Sequence, residues 1–185
     1  MFVIGEPTRT EDAQGTHVTR DLKWLTQVFK RVTRARASLD TVAEHLLREV
    51  FIVSAVMCRP THLEGPAAGQ ERKASDKEIA TCRPRLYDTI YAIDPWVIVG
   101  FGNRAIRALH GAKTGVDRTG RELSYIEVTG MLGQQLRYSV LTAHGLDVAE
   151  DAGDYDYPDG KVASVMNAIN RARDLVGLIH EEDRP

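Results

Sequence analysis

The sequence predicts an α/β fold of three layers, α/β/α, in which helices cover both faces of a central, mostly parallel four-stranded sheet. Two observations carry this prediction. Short apolar runs typical of buried strands alternate along the chain with segments whose apolar residues recur at helical spacing. The longest strand run is rich in β-branched residues, which is typical of a strand covered on both faces. A chain of 185 residues can build a sizeable core, and we expect residues 1–185 to form a single domain.

The N-terminal part predicts a strand, a loop and a helix. Residues 2–5 are a short apolar run that leads into a Gly-Glu-Pro turn. Residues 8–19 are polar and predict a loop, and residues 20–34 predict a helix. The apolar positions of this helix at three- and four-residue spacing are Leu22, Leu25, Val28, Phe29 and Val32.

The next elements are a second helix, a strand and a long loop. Ser38 and Asp40 are candidate caps of a helix that runs through Leu47. Residues 50–57 are a continuous apolar run and predict the second strand. Residues 61–73 are rich in Gly, Pro and Glu and predict a long loop.

A third helix is predicted from residue 75 to about residue 93. Ser75 precedes Glu78 by three residues, which is the spacing of a capping box. Pro84 predicts a kink or a restart within this helix, and the Asp94-Pro95 pair ends it.

The remaining chain predicts a strand over 96–100, a short helix that begins at Gly102-Asn103, and a hairpin formed by 123–128 and 136–141. A final helix is predicted over 160–179. Its core-facing residues are Val162, Val165, Met166, Ile169, Ala172, Leu175 and Val176.

Charge and composition limit the classes of function. The formal net charge is −2, so there is no overall attraction to nucleic acid. Residues 1–122 hold 19 Lys/Arg against 15 Asp/Glu, whereas residues 123–185 hold 5 against 11, so a DNA-facing surface should come from the first two-thirds. No run of about 18 apolar residues is present, which predicts no membrane partner. The absence of a signal-like start and the two cysteines favour a cytoplasmic protein.

Ligands of a parallel α/β sheet bind at the carboxyl ends of its strands. In this chain those ends are predicted after Gly5, Met57, Gly100 and Leu141. An unrelated flavodoxin-like α/β protein is one alternative. No Gly-x-Gly-x-x-Gly motif follows the first strand, which counts against a Rossmann dinucleotide site, and a P-loop motif is also absent.

Five motifs lie at these ends or between them. The first is Gly5-Glu6-Pro7 followed by Glu11-Asp12, and the last is Leu141-Thr142-Ala143-His144. Between them stand two Cys-Arg-Pro triplets, at 58–60 and 82–84, and the strand with its Gly turn at 95–102. Together these resemble the uracil-DNA glycosylase superfamily, in particular the iron–sulfur type family 4 enzymes.

The resemblance implies an enzyme that cleaves the N-glycosidic bond of a flipped base in DNA. Glu6 and Asp12 match the carboxylates that act on water or on the cationic sugar, and His144 matches the histidine that stabilises the leaving base. Ser54 stands where the family reads uracil with Asn, and Val18 stands near the family's base-stacking Phe. A hydroxyl reads a base edge less fully than an amide does, and Val stacks more weakly than an aromatic ring.

The resemblance also implies DNA, single- or double-stranded, as the partner. Arg59 and the helix start at Gly102, Asn103 and Arg104 are the candidate phosphate contacts, since a helix N-terminus binds phosphate. Leu146 is the candidate for the residue that wedges into the duplex.

Family 4 enzymes hold a [4Fe–4S] cluster on four cysteines, and this chain has two, Cys58 and Cys82, in matching positions. We expect no cofactor and no metal, with both thiols as small apolar residues; a zinc site would need His62 or another ligand. The substitutions at Ser54 and Val18 leave a second hypothesis open. It is a catalytically degenerate module of the same fold that binds nucleic acid, a nucleotide or a protein partner.

Overall fold

The computed structural model describes residues 1–7, 9–14, 19–33, 36, 38–111, 122–130, 133–144 and 160–182. In chain order the elements are β1 (Phe2–Ile4), α1 (Arg9–Gln14), α2 (Thr19–Thr33), α3 (Leu39–Glu49), β2 (Ile52–Ser54), α4 (Asp76–Ile93), β3 (Val97–Phe101), α5 (Gly102–His110), β4 (Leu123–Thr129), β5 (Gln135–Ala143) and α6 (Lys161–Glu182). Helices cover both faces of a mostly parallel sheet, so the predicted fold class is confirmed. None of the described helices is long and apolar enough to cross a membrane.

The sheet has the strand order β2-β1-β3-β5-β4. Strand β1 pairs in parallel with β2 and with β3, and β3 pairs in parallel with β5. Strand β4 is antiparallel to β5 and forms one edge of the sheet. The sheet therefore has five strands rather than the expected four, because both strands of the predicted hairpin join it.

Two apolar cores lie on the two faces of the sheet. Because successive side chains of a strand point to opposite faces, Phe2 and Ile4 enter one core and Val3 enters the other. The first core contains residues of α2, α3 and α6: Leu25, Val28, Leu46, Val165 and Ile169. The second core contains residues of α4 and α5: Ile79, Leu86, Ile90, Ala105 and Leu109.

Two predicted helix starts are confirmed by their caps. The Ser38 hydroxyl accepts a hydrogen bond from the Thr41 amide at 3.2 Å, while Asp40 lies in the first turn of α3 instead of capping it. At the start of α4, Ser75 Oγ accepts from the Glu78 amide at 3.3 Å and Glu78 Oε2 accepts from the Ser75 amide at 2.8 Å, which completes the predicted capping box. Helix α4 continues through Pro84 as a single helix.

Two predictions about the N-terminal half were wrong in part. The expected loop over 8–19 contains the six-residue helix α1, whose sequence Arg-Thr-Glu-Asp-Ala-Gln has no apolar spacing to indicate a helix. The expected strand over 50–57 is extended only at Ile52–Ser54. Strand β2 lies at the sheet edge and pairs only with the three-residue strand β1, so its ladder is as short as its partner.

Two glycines place the N-terminus of α5 directly after β3. Gly102, the first residue of α5, has a φ of 80°, a left-handed conformation that favours glycine. A Cβ on Gly100 would lie 2.9 Å from Leu109 Cδ1, so a larger residue there would require the Leu109 side chain to shift. The first turn of α5 is thereby fixed at the carboxyl edge of the sheet.

The start of α4 is also held by an ion pair. Arg72 donates from both terminal nitrogens to Glu78, at 2.8 Å to Oε2 and 2.6 Å to Oε1. The hydrogen bonds from Arg72, followed by those from Ser75, lower the pKa of Glu78 to about 2 from its ordinary value of 4.5.

This carboxylate predicts an acid-dependent contribution to stability. Because its folded-state pKa is depressed, the contribution is present above pH 4.5 and is lost as the pH falls toward 2. We expect Glu78→Gln to cost about 1 kcal/mol of unfolding free energy at pH 7, since the pair is partly solvated, and much less at pH 3. Urea unfolding followed by circular dichroism measures both values.

The control is Glu44→Gln, which removes a carboxylate from the exposed surface of α3. An equal loss for Glu78→Gln at pH 7 and at pH 3 would contradict the proposed linkage.

Candidate active site

The candidate site lies where the strand order of the sheet reverses. From β1 the chain moves to β2 on one side, whereas β3 and β5 follow on the other side of β1. In open α/β sheets, ligands bind at such a switch point outside the carboxyl ends of the strands. Glu6 follows β1 and the first turn of α5 follows β3, so both are positioned at this point.

Glu6 and Arg104 form an ion pair across the switch point. Arg104 Nε lies 3.1 Å from Glu6 Oε1, and the side chains are 25% and 16% exposed, respectively. Glu6 Oε2 is buried and has no hydrogen-bond partner among the described residues. One carboxylate oxygen is thus held by a cation, and the other remains available as an acceptor.

Opposing effects set the protonation of Glu6. Burial raises its pKa, while Arg104, the backbone amides of Glu6 and Ala74, and the charge of Lys73 lower it. Burial is the largest effect, and the pKa lies above the ordinary value of 4.5. Glu6 therefore takes up a proton at a higher pH than an exposed glutamate does.

Ser54 lies one strand away, at the end of β2, in register with Ile4 of β1. Its side chain is 0% exposed, and its hydroxyl has no hydrogen-bond partner among the described residues. A buried hydroxyl without a partner costs roughly 1–3 kcal/mol. Such a group is consistent with a ligand that supplies the missing hydrogen bond.

His144 follows β5, whose last residue Ala143 is in register with Phe101 of β3. The His144 amide donates to Ser164 Oγ at 3.4 Å, which joins the end of β5 to α6. Since β1, β3 and β5 are adjacent, the ends of β1 and β5 are two strand spacings apart, about 10 Å. The structure thus brings Glu6, Ser54 and His144 to one edge of the sheet.

The predicted DNA contacts are arranged around this edge. Gly102 and the exposed Asn103 lie in the first turn of α5, where no side chain caps the helix. Arg59 is partly buried, and its Nη1 lies 3.7 Å from Glu71 Oε1. Glu71 Oε1 also accepts a hydrogen bond from the Arg9 amide at 2.6 Å, so this loop residue joins the end of β2 to the start of α1.

Other candidate residues fall outside the description. Val18 and Leu146 are not among the described residues, and Asp12 lies in α1 with a side chain outside them. The neighbouring Glu11 belongs to the same motif, where only Asp12 was assigned a role, and Glu11 is only 2% exposed. Its burial could not be predicted, because a segment expected to be a loop gives no periodicity from which a buried face can be identified.

The two cysteines do not fit an iron–sulfur cluster by themselves. Cys58 is exposed, whereas Cys82 is partly buried against the core formed with α4 and α5. Such a cluster needs four thiolates, and no group of three or more His, Cys, Asp or Glu side chains suited to a metal occurs among the described residues.

A cavity of about 460 Å³ lies elsewhere, between α4, the end of α5 and the β4–β5 hairpin. Its lining residues include Tyr87, His110 and Arg137. None of the predicted site residues lines it.

These features define an α/β/α protein with a carboxylate at the switch point of its sheet. A family described as the "Uracil DNA glycosylase superfamily" matches residues 1–149, which is most of the chain. The chain belongs to the uracil-DNA glycosylase superfamily, and its fold is glycosylase-like. Membership points to nucleic acid as the general class of ligand.

Other comparisons add little. No curated protein matches this chain. Among solved structures, the chain is similar to a citrate-bound domain of unknown function from Bordetella bronchiseptica, with 16% identity and a TM-score of 0.29. That match covers 90% of this chain and 39% of the other, and its low TM-score supports no argument about function.

The unpartnered hydroxyl of Ser54 predicts an unusual effect on stability. We expect Ser54→Ala to leave the unfolding free energy unchanged or to raise it by up to about 1 kcal/mol, because a buried polar atom without a partner is removed. Urea denaturation measures the difference.

The matched control is Ser164→Ala, another buried serine, whose hydroxyl accepts from the His144 amide. This change should destabilise the protein by about 1 kcal/mol. A loss of similar size for Ser54→Ala would mean that Ser54 has a structural partner.

Proposed function

We propose that the protein is a DNA glycosylase that hydrolyses the N-glycosidic bond of a flipped uracil-like or modified base. The observation that supports this proposal most strongly is the Glu6 carboxylate. It lies at the switch point of a superfamily fold, with one oxygen paired to Arg104 and the other buried and without a described partner. A positioned carboxylate of this kind can accept a proton from water or stabilise a cationic sugar.

In the proposed reaction, a water molecule near Glu6 Oε2 adds to the sugar carbon of the glycosidic bond. The water gives one proton to the carboxylate, and its oxygen forms the new bond to carbon. The bond between the sugar and the base breaks with its electron pair on the base nitrogen. The products are an abasic sugar and a base anion, which is protonated subsequently by the solvent.

His144 is the proposed partner of the leaving base. It follows β5, whose end lies about two strand spacings from the end of β1, which Glu6 follows, and we propose that the nucleotide binds between the two residues. An imidazole N–H directed at the base oxygen would stabilise the negative charge as it develops, which is the most common form of electrostatic catalysis.

Ser54 is the proposed contact to the base edge. Its hydroxyl can donate one hydrogen bond and accept others, and its burial makes an unsatisfied hydroxyl costly in the free protein. A single hydroxyl offers a shorter and less complete reading of the base than an amide. We therefore propose a preference broader than uracil, which includes modified bases.

The DNA strand would run across the start of α5. The amides of Gly102 and Asn103 have no side-chain cap and can bind a phosphate, and Arg59 lies near the same edge after β2. Single- and double-stranded DNA are both compatible with these contacts.

A second candidate function is a binding module without glycosylase activity. The specific observation in its favour is again the ion pair, because Arg104 lowers the basicity of the carboxylate that would have to activate water. Ser54, which stands where the family has an Asn that contacts uracil, is also consistent with a binding module. Such a module would bind nucleic acid, a nucleotide or a protein partner.

An assay for abasic sites separates the two candidates. Duplex and single-stranded oligonucleotides that contain uracil, hypoxanthine, xanthine or hydroxymethyluracil are incubated with the protein, and abasic sites are cleaved by alkali. We expect activity on at least one base, a roughly 100-fold or larger loss for Glu6→Gln, and a similar loss for His144→Ala.

The controls are Glu64→Gln and His62→Ala, which change the same residue types in the exposed loop over 61–73. Both should keep the activity of the unmodified protein. If the unmodified protein cleaves none of the four bases but binds the oligonucleotides, the binding module is the correct reading.

A further inference from the structure

Arg104 points toward the carboxylate at the switch point. It lies in the first turn of α5, and its Nε is 3.1 Å from Glu6 Oε1. With three-quarters of its side chain buried, it differs from an ordinary surface arginine. Arg104 was predicted to contact a phosphate, whereas in the structure its guanidinium contacts Glu6.

The backbone around Arg104 fixes its position. Gly102 makes the turn from β3 into α5, and the close contact at Gly100 holds α5 against the sheet. The far end of α5 is held as well, because Arg83 donates to the carbonyl oxygens of Ala108 at 2.9 Å and of Arg107 at 2.6 Å. Arg104 thus projects from a helix that is anchored at both ends.

The described cations that act on Glu6 are Arg104 and Lys73. Arg104 has the larger effect, and Lys73 is an exposed residue of the loop that precedes α4. The planar guanidinium group also fixes direction, which a flexible ammonium does not. Arg104 is therefore the group that can set both the charge and the orientation of the carboxylate.

We propose that Arg104 is a positioning residue for Glu6, which holds Oε1 and thereby fixes the orientation of Oε2, the atom proposed to accept a proton from the reacting water. This inference rests on the proposed function. It leaves the uncapped amides of α5, not the Arg104 side chain, as the main phosphate contact of this turn. Arg104 also favours the ionised form of a carboxylate that burial would otherwise protonate more readily.

The test compares Arg104→Met with Arg107→Met. Arg107 is on the same helix, but its partner is the exposed Asp76, at 2.8 Å, and not Glu6. Both variants lose one positive charge. The rate of base release is measured between pH 5 and 9 for each variant and for Arg104→Lys.

For Arg104→Met we expect the acid limb of the pH–rate profile to move to higher pH. The loss should be about 10-fold or more near pH 6 and smaller at pH 8, because an unpaired Glu6 protonates more readily. Arg104→Lys should restore the position of the acid limb but not the full rate. Arg107→Met should leave the profile unchanged.

A simple phosphate contact predicts a different outcome. Arg104→Met would then lower the rate by the same factor at every pH. The slope of log affinity for duplex DNA against log salt would fall in magnitude by about 0.9. That result would overturn the proposal.

A direct titration keeps the test valid if the protein has no glycosylase activity. Carbon-13 NMR of the Glu6 carboxyl group gives its pKa in the unmodified protein and in Arg104→Met, and Glu6→Gln assigns the signal. A rise of about 1 or more in Arg104→Met supports the positioning role even if the proposed reaction fails. An unchanged pKa refutes the role whatever the activity.

Discussion

The central place of β1 is the constraint on which the site depends. This strand has only three residues, yet it forms ladders on both sides, with β2 and with β3. The ladder with β2 continues into the residues on either side of that strand. Phe2 donates to the Phe51 carbonyl at 2.8 Å, and Ala55 donates to the Ile4 carbonyl at 2.8 Å. Because β1 joins the two directions of the sheet, the residue that follows it is placed at the switch point.

At the switch point, burial and charge have opposite effects on the pKa of Glu6. Burial favours the neutral form of Glu6, and Arg104 favours the anion. Two nearby polar atoms, Glu6 Oε2 and Ser54 Oγ, are buried without a partner among the described residues. Both cost stability in the free protein, a pattern that is typical of groups retained for a ligand.

The two Cys-Arg-Pro triplets contribute through their arginines to the surroundings of the site. Arg59 pairs with Glu71, which also binds the start of α1. Arg83 binds the last carbonyl oxygens of α5, where a cation is favoured by the helix dipole. An ion pair of Arg59 thus holds the loop over 61–73, and hydrogen bonds from Arg83 hold the end of α5.

The sequence by itself determined the layers, the helix caps and the family. Local spacing encodes these features: the capping box of Ser75 and Glu78 depends on residues three positions apart, and the apolar stripe of α2 recurs every turn. The motifs around Glu6, Ser54 and His144 also identified the strand ends that form the edge. Only the tertiary structure decided that Arg104 contacts Glu6, that Glu11 is buried and that Ser54 Oγ has no hydrogen-bond partner in the part of the chain that the structure describes. These facts depend on residues far apart in the chain, and no local pattern encodes the distance between a loop after β1 and a helix almost 100 positions later.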